Sequence, residues 1–276
     1  KKLWQGTLFP ASAADHWLAS GTAGYWQILH DLPEKEDKAA PALAAALARQ
    51  NVLLVATLAR EEDLPAEKAE RSYTRYAPYR VARVKGTFAL HQLRLALGDE
   101  PFLATMRALH ERFGGRSDHA VTTADFLAVA RETTGKDLAA RLVPWLERTG
   151  FPAPRPEVRY AKKKGGWQVT VTVEQPSDNV YALESSVEIE TAKARTRYPL
   201  HLDGVRSTAT FTVPERPVRV VFDPGADIPV ARQRWAAWPH ITERWGETLV
   251  VHGTSRADEA QRTLALRFQT TLADAF

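Results

Sequence analysis

The 276-residue chain contains no cysteine. Disulfides, thiolate zinc sites and a cysteine nucleophile are therefore excluded. It also lacks a large charge excess: 37 Lys and Arg against 33 Asp and Glu leave a formal net charge of +4. Nucleic-acid binding needs a concentrated basic stripe. The one dense cluster, Lys162-Lys163-Lys164 before Gly165-Gly166, is better explained as a solvated hairpin turn, so no nucleic-acid partner is expected. No apolar run approaches the ~18 residues that span a bilayer, and no transmembrane segment is expected. Lys1-Lys2-Leu3-Trp4 is followed too soon by Gly6 and Pro10 to form the apolar core of a secretory signal. The G-x-S-x-G nucleophile elbow is missing. What remains is an ordinary balance, 44% hydrophobic and 25% charged, of a soluble globular chain long enough for one large domain or two smaller ones.

The first half reads as helices. Ala, Leu and Arg dominate from Ala39 to Arg60, and Phe88, Leu90, Leu93, Leu95 and Leu97 recur at helical spacing. Gly98 breaks that pattern, and Asp99 is placed to cap a helix running to about Phe113, which Gly114-Gly115 stops. Thr123 or its neighbour caps another helix to Thr134, Gly135 ends it, and Asp137 to Arg148 forms one more. After Pro152, Pro154 and Pro156 the composition becomes β-branched and alternating. Strands are predicted at Val158–Tyr160, Trp167–Val173, Val187–Glu190, Tyr198–Leu202, Thr208–Val213 and Val218–Phe222. Their number and turn-rich spacing predict a β-sandwich.

A third segment follows. Thr248 to His252 reads as a buried strand, Gly253-Thr254-Ser255 as a turn and helix cap, and Ala257 to Ala273 as an amphipathic helix. One strand and one helix cannot make a sheet, so this is a partial α/β unit. His252 stands at the strand end where open α/β sheets bind ligands, but no G-x-x-x-x-G-K-S/T or G-x-G-x-x-G accompanies it. Trp235, Trp238 and Trp245 read as a staple between this unit and the strands.

Six signals occur in one order: Trp4-Gln5-Gly6; Trp17-Leu18-Ala19-Ser20-Gly21 followed by Tyr25-Trp26; Val84-Lys85-Gly86; Leu97-Gly98-Asp99-Glu100-Pro101-Phe102; Thr122-Thr123-Ala124-Asp125-Phe126; and Trp145-Leu146 with Gly150-Phe151-Pro152. Together they resemble the C-terminal part of an aminopeptidase N-like (gluzincin) zinc metallopeptidase. In that family the zinc helix H-E-x-x-H-x-W-x-G is followed by W-L-N-E-G, Y-E-K-G, L-G-D-E-x-F, T-x-x-D-F and W-L…G-x-P. The resemblance covers residues 2–229. It implies a multidomain α+β chain: residues 1–152 as the α-helical end of a thermolysin-like catalytic domain, 153–229 as a small β-sandwich, and 230–276 as a linker with the truncated α/β unit.

In the family, two histidines and the second glutamate hold zinc, the first glutamate is the general base, and the tyrosine stabilises the oxyanion. Counting along the matched motifs, the second histidine falls on Lys2, the glutamate ligand on Ser20 and the tyrosine on Arg83, with Tyr76 and Tyr79 out of register. The first histidine and the general base would precede Lys1. An ammonium group cannot donate to zinc, and a hydroxyl is a poor ligand. The resemblance therefore implies a pseudoenzyme-like stretch with vestigial positions Lys2, Ser20 and Arg83, no metal ligand and no cofactor of its own, although zinc serves active family members. Trp17, His16, Tyr79 and Arg83 are the candidates to line a peptide-binding cavity.

Other candidate chemistry reads as structural. Asp15, His16 and Ser20 could mimic a Ser-His-Asp device, but residues four apart share a helix face anyway and no oxyanion hole accompanies them. His91 and His110 read as core-edge or surface histidines, and His201 as solvent-facing. The expected role is peptide binding or organising upstream and downstream domains of a longer chain. Two alternatives remain: an active metallopeptidase or hydrolase with its catalytic residues outside this stretch, and a plain interaction scaffold. Family habit favours a periplasmic or extracellular location, with the cytoplasm also compatible.

Overall fold

The computed structural model describes residues 8–58 and 76–230, together with Thr263 and Arg267. By its contacts the chain divides into Lys1–Trp235 and Ala236–Phe276. Of the expected partial α/β unit, Thr263 and Arg267 are described, both helical, while Trp235, Trp238, Trp245 and His252 lie outside the described residues.

Among the described residues a 3-10 turn, Ala13–Asp15, leads into six helices: α1 His16–His30, α2 Glu36–Leu58, α3 Tyr76–Leu97, α4 Asp99–Phe113, α5 Thr123–Thr134 and α6 Ala139–Glu147. Six strands follow: β1 Arg155–Lys163, β2 Gly166–Glu174, β3 Leu183–Glu190, β4 Arg195–Leu202, β5 Arg206–Val213 and β6 Arg219–Phe222. This is the mixed α+β class expected from the pattern. The strands form two antiparallel three-stranded sheets, ordered β1-β2-β5 and β4-β3-β6.

Local chemistry accounts for most boundaries. Thr122 and Asp125 close a capping box at the start of α5: the Thr122 hydroxyl accepts from Asp125 N and the Asp125 carboxylate accepts from Thr122 N at 2.9 Å. Gly135, at φ +70°, ends α5 in the left-handed region. The start of α4 departs from expectation. Gly98, at φ +84°, is the cap residue, and Asp99 makes no capping bond. The turn at Gly98 instead brings the Asp99 carboxylate back onto the Arg94 fork, at 2.7 Å from Nε and 2.8 Å from Nη2. That pairing holds the Asp99 carboxyl below its ordinary range, the Arg94 hydrogen bond being the main cause.

The lysine run does sit at a turn: Lys162 and Lys163 end β1, and Lys164-Gly165 turn into β2. Pro156 is tolerated because β1 is an edge strand. In β2, Val169, Val171 and Val173 are buried while the intervening threonines are half-exposed, as the period of two requires.

α2 bears on the expected lack of a transmembrane segment and does not overturn it. Asp37–Leu58 is long and apolar enough to cross a membrane by length and composition. Isolated charges such as Lys38 and Arg49 interrupt its apolar runs without making the helix polar. One such helix is weak evidence of a span. Ala46, Leu47, Leu54 and Thr57 are its buried residues. Its Asn51 side chain both donates to Val230 O and accepts from Val230 N, each at 3.0 Å, fixing the chain that leaves β6.

Candidate functional site

α1 and α3 lie against each other at a pair of glycines. A Cβ added at Gly21 would sit 2.8 Å from Gly86 Cα and C, so only glycine permits the backbones to approach this closely. One turn along, Gly24 lies beside the Arg83 side chain and Thr87 Oγ1. Both of the positions expected from the resemblance that the structure describes, Ser20 and Arg83, therefore lie on this pair of packed helices.

Ser20 is 2% exposed, and its Oγ donates to His16 O of its own helix at 2.8 Å. Arg83 is half-buried; its side chain passes Gly24 and Nη2 donates to Gln27 Oε1 at 3.1 Å. Gln27 lies two turns beyond Ser20, so the guanidinium extends toward the C-terminal end of α1. Lys2 lies outside the described residues. Tyr79 is placed in the first turn of α3 by its backbone alone.

The remaining candidates divide by exposure. Trp17 is fully buried, donates from Nε1 to Thr123 Oγ1 at 3.0 Å and stacks edge-on against Phe126 with ring centroids 5.3 Å apart. It is a core residue joining α1 to α5. His16, the first residue of α1, is half-buried. Asp15 is committed to α5 rather than to a catalytic device. Its Oδ1 accepts from Thr123 N at 2.7 Å and Thr123 Oγ1 at 2.9 Å, and its Oδ2 accepts from Ser12 Oγ at 2.7 Å.

Two residues that motif matching located gain a physical reason here. Gly86 makes the close approach to Gly21. Lys85, 1% exposed, runs beneath α6 and donates from Nζ to Arg148 O at 2.6 Å. Arg148 in turn donates to Val180 O and covers the Tyr181 ring, joining the helices to the strand region.

Sequence reasoning missed a second buried polar group. His91, 1% exposed, lies 3.0 Å from Tyr25 Oη through Nδ1 and 2.9 Å from Asp227 Oδ1 through Nε2. It is a core residue, not a core-edge or surface one. Arg94 Nη1 donates to Tyr25 Oη at 3.4 Å. Burial pushes the Tyr25 phenol up to about 12, against the opposing pull of Arg94. His201 is exposed as expected, yet its Nδ1 pairs with the buried Glu184 carboxylate, which Arg141 also meets at 2.8 Å.

The zinc ion that the family resemblance implies does not fit the residues described. Ser20 offers one neutral hydroxyl, a weak ligand, bonded to its own helix, and the Arg83 guanidinium lies at Gln27, two turns further along α1, so these side chains do not converge on one place. Among the described residues no three His, Asp or Glu side chains are grouped to hold a metal.

No family model matches the chain, and no curated protein matches it by sequence. Solved structures do. The fold is similar to that of an aminopeptidase A from Legionella pneumophila, solved with aspartic acid, at a TM-score of 0.54 and 17% identity, covering 82% of this chain. An M1 zinc metallopeptidase mutant from Deinococcus radiodurans, bound to a Tyr-Ser-Ala substrate, aligns at a TM-score of 0.40 and 27% identity over 54% of this chain. The chain spans only 25% of the first relative and 32% of the second. The likeness to the Legionella enzyme is one of fold, and it is the fold of part of an aminopeptidase.

Proposed function

We propose that this chain is the helical and β-sandwich portion of an aminopeptidase-like protein whose zinc site has degenerated, and that it binds peptide or organises neighbouring domains without catalysing hydrolysis. In this reading α1 to α6 are the end of a thermolysin-like catalytic domain and the two sheets are the sandwich that braces it. The observation that carries the reading is Ser20. At the position that the resemblance gives to the glutamate ligand is a buried hydroxyl bonded to the carbonyl of His16. The partly exposed His16 and Arg83 would then face the peptide, with Arg83 suited to a carboxylate through its fork of donors. Tyr79 completes the proposed lining, and Lys2 the proposed vestigial set.

The test uses the full-length protein. Metal analysis after purification is expected to show zinc well below one per chain, with no release of amino acids from aminoacyl-anilide substrates. Stoichiometric zinc, together with turnover abolished by a chelator, would sink the proposal and favour an active metallopeptidase with its catalytic residues outside this stretch.

A further inference from the structure

Two adjacent buried residues of α3, His91 and Gln92, take no part in the proposed site, and both meet the turn that follows β6. Gln92 Nε2 donates to Asp227 O at 2.8 Å and Glu184 O at 3.0 Å, and its Oε1 accepts from Glu184 N at 2.7 Å. His91 Nε2 meets the Asp227 carboxylate at 2.9 Å. A carboxylate only accepts, so Nε2 carries a hydrogen. Arg94 only donates, so the hydrogen of the fully buried Tyr25 hydroxyl is left for His91 Nδ1. The donors therefore run one way, from Arg94 to Tyr25 to His91 to Asp227, and the imidazole is held as its Nε2–H tautomer.

The turn at the far end is conformationally costly. Asp223, at φ +51°, and Ala226, at φ +59°, both occupy the left-handed region without being glycine. The Asp223 carboxylate holds the turn closed. It accepts from Ser185 Oγ at 3.0 Å, Asp227 N at 2.8 Å and Ile228 N at 3.3 Å. A conformation of this kind persists only where its surroundings over-determine it.

We infer that the Arg94–Tyr25–His91–Asp227 chain is a conformational latch, which sets the position of α1 and the geometry of the Asp223–Ile228 turn together. α1 carries Tyr25, so whatever moves the turn acts on α1. The latch stands on these contacts alone and does not depend on the proposed function.

The test reads the full chain by nitrogen-15 NMR of the imidazole and by amide exchange at residues 223–228. The unaltered protein is expected to show His91 as a single Nε2–H tautomer. Tyr25→Phe removes the partner of Nδ1 while the Asp227 carboxylate still holds the hydrogen on Nε2, so the tautomer should persist and exchange in the turn should become about tenfold faster (a tenfold change being 1.4 kcal/mol). Asp227→Ala, which removes the acceptor of Nε2–H, should raise exchange at least as much. The double variant should exchange no faster than the worse single one, because either change breaks the same chain. Mixed tautomers in the unaltered protein, or single effects that multiply in the double variant, would overturn the latch. Should Asp227→Ala fail to fold, the unaltered ring spectrum and Tyr25→Phe still decide.

Discussion

At the scale of single residues, the buried polar groups decide the most. Tyr25 was legible as half of an aromatic pair, and His91 as one more helical histidine. Their meeting was not legible, since 66 residues separate them and 136 separate His91 from Asp227. No local periodicity reports a contact at such range. Its consequence is measurable. The folded chain holds the Tyr25 phenol at about 12 against an ordinary 10.0, with burial as the chief cause. Folding therefore retains a proton that the unfolded chain gives up. The contribution is fully present below pH 10 and is lost as pH rises toward 12. By pH 11 about 1.4 kcal/mol of stability should have gone, following from 1.36 kcal/mol per pKa unit. Urea unfolding between pH 9 and 11 should show the unaltered protein losing about that much more than Tyr25→Phe. Parallel pH profiles for the two would contradict the burial of Tyr25.

Among the elements, the sequence was most informative where local chemistry acts alone. Every second residue of Val169 to Val173 is valine, and those three side chains form the buried face of β2. Thr122 and Asp125 announced the start of α5, and Gly135 its end. Expectation failed at Asp99, where Arg94, five residues back in the preceding helix, holds the carboxylate instead of the helix terminus. The glycines of α1 and α3 show the same limit. Gly21 and Gly86 were legible as motif letters, but why glycine stands there appears only when the helices meet. Gly21→Ala places a methyl group 2.8 Å from the backbone of Gly86, where no side chain can rotate away. The helices must part, at a cost of about 1–3 kcal/mol. Thermal melting should fall by several degrees, and Gly86→Ala, whose Cβ would lie 3.0 Å from Gly21 Cα, should act in the same direction. An unchanged melting temperature in both variants would mean that the two backbones do not touch.

For the molecule as a whole, the α+β class followed from a change of period near the Pro152–Pro156 stretch, from helical spacing to alternation. The seam between the two halves was hidden, because the residues that make it are polar and sit on the buried face of a helix. Gln92 is the clearest case. Its one side chain satisfies three backbone groups across the seam, the N–H and C=O of Glu184 and the C=O of Asp227. Leucine would fill nearly the same volume but leave all three without that partner, and each orphaned buried group costs about 1–3 kcal/mol. The loss falls on contacts between helices and sheets and leaves each half's own core in place. Gln92→Leu should therefore divide unfolding into two steps. Tryptophan fluorescence and far-ultraviolet circular dichroism are expected to coincide along a urea titration of the unaltered chain and to separate in the variant. If they stay coincident with an unshifted midpoint, the clamp contributes nothing to joining the halves. A lower midpoint with the two signals still together would mean that the helices cannot stand without the sheets.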